Sequence, residues 1–565
     1  MVEAQRMAPS PTVEHHEAFA PSGWLAGVCA FAVYLVASTI TYAGSTIAHL
    51  SSEYIPRQDA SDSEFFRWAL TWAPWAVTHG RDPLFTDVLY APHGASLVWT
   101  TAVPGPALAM WPVTAAFGPL VSYNVLSLLA PTLAGWGAYL LCRRVSHRFW
   151  PSLLGGAVFG FSAYMTIQLN HPNLALTFPI PIAVYLTVRR VEGSLGRIAY
   201  IALLSLTLLA LWSISIEVFA TTTMFAGIAY LIALAVAWTD RRALIAALPW
   251  IAIAYVIVIA LVLFPYLLPA LREAPTSVSI DPEKKYVDLM RFILPRDRQL
   301  VGEGWLMART AGAVDPDSSG VGFIGIGLVA MIVGYAITER RRRETWGILA
   351  FLLIAATLTL GPRLYILDRR TIPLPSALLL KLPLIENALP GRFMIFVTLT
   401  LAVIAALWLS RARGRSGWIR FAIVAVGLLL VIPNVQSPQW RVPDVTPAFF
   451  QNGAWRNAIA PGETVAVMAE KKAQDMAWQA ETNMAFRLPD GYLGAIPEMD
   501  NSEFARGLYP PRKPHVETLR GWIAAHGVTA IIVMDSVRPW FEPLLGQLGY
   551  VPVQEGDGVS VWRTG

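Results

Sequence analysis

Charged residues are scarce in this chain of 565 residues. Asp, Glu, Lys and Arg make up only 14% of it, whereas a soluble domain carries about 25%. Hydrophobic residues make up 55%, and the mean hydropathy is +0.49. These values exclude an ordinary soluble protein and predict a protein that resides in a membrane.

Cysteine is almost absent. Cys29 and Cys142 are the only two cysteines in the sequence, so no disulfide framework can form, and neither residue has the spacing of a metal site. The net charge of +5 does not indicate nucleic acid as a partner, because short Arg-rich loops account for most of the basic clusters. The polar residues 1–23 lack a basic segment and are predicted to form a disordered cytoplasmic tail rather than a cleaved signal peptide.

Long apolar stretches dominate the rest of the chain up to residue 433. A membrane-spanning helix needs about 20 apolar residues, and eleven stretches of suitable length and composition occur. We predict spans at 24–50, 121–141, 150–168, 174–188, 198–213, 218–238, 243–271, 320–337, 346–360, 393–409 and 418–432. The fold class predicted for 24–433 is therefore an all-α polytopic membrane bundle of about 11 transmembrane helices.

Short Arg-rich loops orient these spans. Basic clusters at 143–148, 189–190, 240–242, 339–343 and 411–415 lie at span ends, and short basic loops stay in the cytoplasm. All five clusters fall on one side if the N-terminus is cytoplasmic. The Pro-rich stretch 101–118 would reverse this order if it spanned, so we predict a re-entrant or interfacial helix there.

Two larger regions are then placed outside the cell membrane. The first outer loop, 51–120, is predicted to carry juxtamembrane helices. Residues 434–565 are polar and mixed, and they are predicted to form a soluble α/β domain on the outer face, with strands at 465–468, 528–533 and 558–563 and helices at 516–526 and 537–548. The topology that follows is a multi-pass membrane protein with a cytoplasmic N-terminus and an extracytoplasmic C-terminal domain.

The first outer loop begins with a cluster of carboxylates, Asp59, Asp62 and Glu64. Asp59 and Asp62 are three residues apart and would share one face of a helix. One interpretation is that these acids cap a helix N-terminus, where negative charge is favoured. The other is a general base or a metal ligand at the lipid–water boundary. Trp68 starts an aromatic stripe at helical spacing, which predicts an amphipathic helix lying on the outer leaflet.

Other candidate site residues lie at outward turns between spans. His171 and Asn173 lie between the third and fourth spans, where a short polar turn is the default interpretation and a position facing the same cavity as Asp62 is the alternative. Glu217 lies at a span end, where an ionisable residue is either snorkelling or functional. Arg392 lies at the outer mouth of the tenth span, against the charge bias, and Arg binds phosphate with a rigid fork. Snorkelling to headgroups or pairing with Glu386 is the alternative for Arg392.

In number of spans, in the large first outer loop with its acid, and in the outer soluble domain, the chain resembles the type C glycosyltransferase superfamily. The similarity is closest over 62–99 and 373–392, which look like a bacterial branch grouped with YfhO-like and mannosyltransferase-like proteins. The resemblance implies a sugar donor on a polyprenyl phosphate and a glycan, lipid or protein acceptor of the cell envelope.

The resemblance also implies roles for individual residues. Asp62 would act as general base, with Asp59 second, and a single displacement would invert the anomeric carbon. Arg392 would hold the donor phosphate, and Glu64, Glu217, His171, Asn173 and Trp68 are the further substrate-binding candidates. No strict Asp-x-Asp motif occurs, so no metal or other cofactor is assigned. A non-catalytic envelope-assembly protein of the same fold and a transporter are the alternatives.

Overall fold

A computed structural model describes residues 23–55, 60–237, 240–273, 286–295, 299–302, 320–379, 388–434, 440, 442–493 and 515–565. All eleven predicted spans are helical within these ranges. Seven helical segments are long and apolar enough to cross a membrane: Gly23–Ala43, Pro119–Ser146, Pro172–Val191, Arg197–Ile214, Ile216–Val236, Arg241–Val262 and Pro390–Ser410. The prediction of a polytopic α-helical bundle is confirmed.

The helices of the bundle are numbered in chain order. They are α1 (Gly23–Ser38), α2 (Ala60–Thr78), α3 (Pro104–Phe117), α4 (Pro119–Ser146), α5 (Phe149–Gly160), α6 (Ala163–Gln168), α7 (Pro172–Ala175), α8 (Pro179–Val191), α9 (Arg197–Ile214), α10 (Ile216–Val236), α11 (Arg241–Val262), α12 (Leu268–Arg272), α13 (Gly325–Thr338), α14 (Arg343–Thr359), α15 (Ser376–Leu379), α16 (Met394–Ser410) and α17 (Arg415–Leu430).

Helices α4, α5 and α16 form the centre of the bundle. The sequence of α16 is apolar on every side and nearly every residue of it is buried, as expected for a helix enclosed by others. Helices α4 and α5 approach closely through glycines. A Cβ atom on Gly156 would lie 2.5 Å from the carbonyl oxygen of Gly135, so no larger residue fits there without moving one of the two helices.

Three predicted spans are interrupted rather than continuous. The stretch 150–168 divides at Phe161 and Ser162 into α5 and α6, and 174–188 divides at 176–178 between α7 and α8. The stretch 320–337 is interrupted at 323–324, before α13 begins. Pro179 and Pro181 explain the second break, because each lacks the N–H that a helix continuing from α7 would need. The irregular backbone between α6 and α8 places polar side chains inside the bundle.

The 14 residues of α3 are too few to span a membrane alone. One face of this helix packs on α2, α4 and α9, whereas Leu108, Trp111 and Phe117 are exposed. This two-sided character agrees with the interfacial or re-entrant helix predicted for 101–118.

The described residues 442–493 and 515–565 form the predicted α/β domain. Its helices are α18 (Ala448–Gln451), α19 (Trp455–Ala458), α20 (Gln474–Glu481), α21 (Val516–His526) and α22 (Arg538–Gln547). The strands of its sheet are β7 (Val465–Met468), β8 (Ala530–Met534), β9 (Tyr550–Gly556) and β10 (Val559–Thr564), in the order β7-β8-β10-β9. Strands β7 and β8 are parallel and the other pairs antiparallel. The sequence prediction found β7, β8, β10, α21 and α22, but missed β9 and the helices α18, α19 and α20.

Both faces of this sheet are covered. Ile531 and Val533 of β8 pack against α21 and α22, whereas Ala530 and Ile532 belong to the core that continues into the bundle. Successive side chains of a strand point to opposite faces, so this continuous apolar run is what a doubly covered strand requires.

The remaining strands are short: β1 (Glu53–Tyr54), β2 (Phe85–Thr86), β3 (Ala95–Ser96), β4 (Arg363–Ile366), β5 (Arg369–Pro373) and β6 (Val442–Pro443). Strand β1 of the first loop pairs with β6, which leads into the C-terminal domain, and β2 pairs with β3 and β4 with β5. The β1–β6 pair joins the first loop to the C-terminal domain.

Helix α2 lies between the bundle and the C-terminal domain, in contact with α3, α4 and α20. The prediction that its Trp stripe lies on the lipid leaflet is wrong. Trp68 and Trp72 are fully buried and stack with ring centroids 5.5 Å apart, and Trp68 donates to Gln479 of α20 at 2.7 Å. The periodic Trp residues mark a face of α2 that is buried in the protein, and the C-terminal domain packs on that face.

Candidate functional site

Asp62 lies in the first turn of α2, where a carboxylate is favoured by the helix dipole. Its two oxygens have different partners. Oδ2 lies 2.8 Å from Nε2 of His171, and Oδ1 accepts a hydrogen bond of 3.0 Å from the hydroxyl of Tyr492. The side chain is 28% exposed, so the carboxylate is held firmly yet remains accessible.

His171 precedes α7, in the break between α6 and α8. Its ring meets Phe66 edge to face, with centroids 6.4 Å apart, and its Nε2–H is directed to Asp62. Among the described residues, Nδ1 of His171 has no hydrogen-bond partner and is buried. The imidazole therefore presents its Nε2 to the carboxylate of Asp62.

Tyr492 belongs to the C-terminal domain and was not among the predicted site residues. It follows Leu488 and Pro489 in a segment without regular structure, and the ammonium of Lys472 lies 5.8 Å from its ring centroid. Nothing in the local sequence relates this Tyr to Asp62, from which 430 positions separate it. Only the docking of the C-terminal domain on α2 brings the two together.

Arg392 lies in a short 3-10 helix, Pro390–Phe393, that leads into α16. Its Nη1 donates to Oε2 of Glu217, in the first turn of α10. The side chains are 24% and 19% exposed, respectively. The suggested partner Glu386 lies outside the described residues, and within them Glu217 is the ion-pair partner of Arg392.

Asp62 and Arg392 line the same cavity, which has a volume of about 380 Å³. Its polar lining includes five residues singled out in the sequence, together with Tyr492: Asp62, His171, Asn173, Glu217 and Arg392. Among the described lining residues, Arg392 is the sole Lys or Arg. Oδ1 of Asn173 is buried and has no hydrogen-bond partner among the described residues.

The same cavity has an apolar wall. Trp99, Trp212 and Tyr266 line it and belong to one packed cluster with Val98 and Ile216. The rings of Trp212 and Tyr266 meet edge to face at 4.8 Å. Trp99 donates to the carbonyl of Ala270 at 3.1 Å, which fixes its indole. The cavity thus combines the charged side chains of Asp62, Glu217 and Arg392 with a rigid aromatic surface.

The environment of Asp62 keeps it ionised. Burial is the largest single influence and favours the neutral form, but the hydrogen bonds of His171 and Tyr492 and the charges of His171 and Arg392 together outweigh it. The pKa of Asp62 is therefore lowered from its ordinary value of 3.8. At neutral pH the group is a carboxylate ready to accept a proton.

Three other predicted site residues have different positions. Asp59 lies outside the described residues. The carboxylate of Glu64 is buried, accepts from the hydroxyl of Tyr54 and lies 3.8 Å from Arg67. Trp68 is buried against Gln479. Neither Glu64 nor Trp68 lines the cavity, because the face of α2 that carries them points to the C-terminal domain. Over the described part of the chain, no group of three His, Cys, Asp or Glu residues is arranged to hold a metal ion.

Comparison with solved structures shows the fold. The chain is similar to ArnT from Cupriavidus metallidurans bound to undecaprenyl phosphate, with a TM-score of 0.52 and 11% identity over 96% of this chain and 98% of that one. It is similar to the oligosaccharyltransferase AglB from Archaeoglobus fulgidus in complex with an inhibitory peptide and a dolichol-phosphate, with a TM-score of 0.54 and 10% identity over 92% and 70%.

A third similar structure is the arabinofuranosyltransferase AftD from Mycobacteria, with a TM-score of 0.58 and 15% identity over 96% of this chain and 42% of that one. This chain therefore spans less than half the length of AftD. All three are type C glycosyltransferases, so the resemblance in fold noted from the sequence is confirmed.

No curated protein matches the chain. A family profile matches residues 24–436, from the first helix to the start of the C-terminal domain. The chain belongs to the family described as domain of unknown function DUF6311.

Proposed function

We propose that this protein is a membrane glycosyltransferase. It transfers a sugar from a polyprenyl-phosphate donor to a glycan, lipid or protein acceptor at the outer face of the bacterial inner membrane. The observation that carries the proposal is the shared cavity of Asp62 and Arg392. A carboxylate base and a phosphate-binding cation are the two groups that such a transfer needs.

Asp62 is the proposed general base. As the acceptor hydroxyl oxygen attacks the anomeric carbon, one carboxylate oxygen of Asp62 takes its proton. The bond between that carbon and the phosphate oxygen breaks, and polyprenyl phosphate leaves with the electron pair. A single displacement of this kind inverts the anomeric carbon. A positioned base contributes about 10²–10⁴-fold to the rate.

Arg392 is the proposed phosphate ligand. It is the sole Lys or Arg among the described lining residues, so a phosphate that enters this cavity meets its positive charge there. One N–H of the guanidinium is engaged by Glu217, which leaves further donors of the fork for phosphate oxygens. Glu217 holds the guanidinium in place and is a candidate acceptor for a sugar hydroxyl.

The aromatic wall supports a lipid-borne donor. Trp99, Trp212 and Tyr266 offer a rigid apolar surface beside the charged groups, which suits an isoprenoid chain attached to a phosphate. Two proteins of similar fold were solved with undecaprenyl phosphate and with a dolichol-phosphate, both of which are polyprenyl phosphates. Such pockets combine apolar walls with a few placed polar groups.

The test is glycosyl transfer by the purified protein in lipid nanodiscs, supplied with a panel of polyprenyl-phosphate sugars and envelope acceptors. Release of polyprenyl phosphate and formation of a glycosylated product are measured together. Asp62→Asn keeps the shape of the side chain but removes the base, so turnover should fall by about 10²-fold or more. Asp87→Asn is the matched control, because Asp87 lies in the same loop, is 40% exposed and pairs with Arg81.

Near-normal turnover in Asp62→Asn, with the control unaffected, would assign the base to another group. Absence of product with every donor, together with unchanged folding, would favour the non-catalytic alternative.

A further inference from the structure

A second cavity lies far from the one that holds Asp62. It has a volume of about 690 Å³ and is formed where the start of α1, the end of α4 and α8 meet. Tyr123, near the start of α4, lies 3.2 Å from Ser63 beside Asp62, whereas Arg143, near the end of α4, lines this second cavity. A helix rises 1.5 Å per residue, so the two ends are about 30 Å apart.

That separation equals the thickness of the hydrocarbon core of a bilayer, about 30 Å. The second cavity therefore lies at the opposite headgroup level from Asp62 and cannot belong to the same site. The topology predicted from the sequence places this end of the bundle in the cytoplasm, because it carries the Arg-rich cluster at 143–148.

The wall of this second cavity is apolar and faces outward from the bundle. Trp24 is 80% exposed and Val28 is 52% exposed, and Phe31, Trp136 and Leu140 complete the surface. In a membrane these side chains contact acyl chains, and Trp24 lies at the depth where Trp is enriched at the membrane–water interface.

The end of the cavity is cationic. Arg143, Arg144 and His147 line it. Arg144 is engaged, since it pairs with Glu192 and donates to Ser194. The guanidinium of Arg143 has no ion pair or hydrogen bond with any residue that the structure describes. It is half-buried at the end of the apolar wall, with its fork available to an anion.

We propose that this cavity binds an anionic glycerophospholipid from the leaflet opposite to Asp62. The lipid phosphate binds the fork of Arg143, with His147 beside it, and the acyl chains lie along Trp24, Val28 and Phe31. Arginine binds phosphate in a two-pronged geometry, and basic pockets between membrane helices bind anionic headgroups. A soluble anion would leave the apolar wall unused, which is why a lipid fits better.

The proposal is tested on the purified full-length protein in detergent by native mass spectrometry, with phosphatidylglycerol and phosphatidylcholine offered at equal concentration. We expect preferential retention of phosphatidylglycerol. Arg143→Gln should reduce that retention by about tenfold, the loss expected for one charge-assisted contact. Arg148→Gln is the matched control: it removes the same charge from the same loop, but Arg148 does not line the cavity.

A second variant guards against a folding defect. Trp24 is largely exposed, so Trp24→Ser leaves the core unchanged and should still weaken retention by removing part of the acyl-chain surface. Equal retention of the two lipids by the wild type would overturn the proposal. So would a loss of phosphatidylglycerol that is the same in Arg143→Gln and Arg148→Gln.

Discussion

The hydroxyl of Tyr492 donates a hydrogen bond of 3.0 Å to Asp62. Asp62 lies in the first turn of α2 in the first loop, whereas Tyr492 belongs to the C-terminal domain, so the two parts of the chain meet at one carboxylate. Helix α20 secures this contact through Gln479, which accepts from Trp68, and Glu481, which pairs with Arg67. The C-terminal domain is thus part of the proposed site rather than an appendage to it.

Tyr492→Phe should shift the acid limb of the pH–rate profile to higher pH. The hydroxyl stabilises the carboxylate and helps to lower the pKa of Asp62, so its removal raises that pKa. Activity of the variant is then lost at a higher pH as the base becomes protonated, whereas the rate on the neutral plateau changes less. The measurement is the initial rate between about pH 3 and 8. An unshifted acid limb would show that Tyr492 does not act through Asp62.

Arg392→Ala should raise the donor concentration needed for half-maximal rate by about tenfold to hundred-fold, because a charge-assisted contact is worth about 1.5–3 kcal/mol. Acceptor dependence should change much less, and Arg392→Lys should recover part of the loss. Arg81→Ala is the control, since it removes an exposed Arg that does not line the cavity. Unchanged donor dependence in Arg392→Ala would reduce the Arg392–Glu217 pair to a structural role.

Arg67→Ala should destabilise the protein by about 3–5 kcal/mol, the cost of breaking a buried ion pair. The guanidinium is 1% exposed and donates to Tyr54 at 3.0 Å, Asp444 at 2.9 Å and Thr446 at 3.2 Å. Its loss leaves buried carboxylates without a counter-charge. Arg81→Ala removes an exposed pair with Asp87 and should cost at most about 1 kcal/mol. Denaturation in detergent compares the two, and equal losses would refute the prediction.

Stability should fall as the pH rises through the titration of Asp475. Burial raises the pKa of this carboxyl, on α20, to about 6, although the backbone N–H of Met476 opposes the shift. The folded protein therefore keeps a proton on Asp475 that the unfolded chain releases near the ordinary pKa of 3.8. The stabilisation from Asp475 is fully present below pH 3.8 and is lost as the pH rises from that value through about 6.

Asp475→Asn cannot ionise, so its Tm should depend less on pH between about 4 and 7 than that of the wild type. Thermal unfolding followed by intrinsic fluorescence measures both proteins. Parallel pH curves for the two would place the titration elsewhere.

The orientation of the bundle is open to a direct test. The Arg-rich loops place the C-terminus outside, so alkaline phosphatase fused after Gly565 should be active in a bacterial host. A fusion at Gly414, in a predicted cytoplasmic loop, should be inactive. The reverse pattern would invert the assignment of both faces.

The sequence by itself determined the membrane bundle. The eleven apolar stretches and the buried strands β7 and β8 are local signals, since each depends on the composition of one short segment. Asp62 at the start of α2 and Arg392 before α16 could be identified from the sequence for the same reason. Each stands where a charge is unusual for its segment.

Tertiary structure decided which of these groups meet. The Trp periodicity of α2 is the same for a face on lipid and a face in a protein core, and only the docking of α20 distinguished them. The partners of Asp62 come from the α6–α8 break and from Tyr492, and the partner of Arg392 comes from α10. No local pattern encodes such contacts, because they arise from packing between residues 109 to 430 positions apart in the chain.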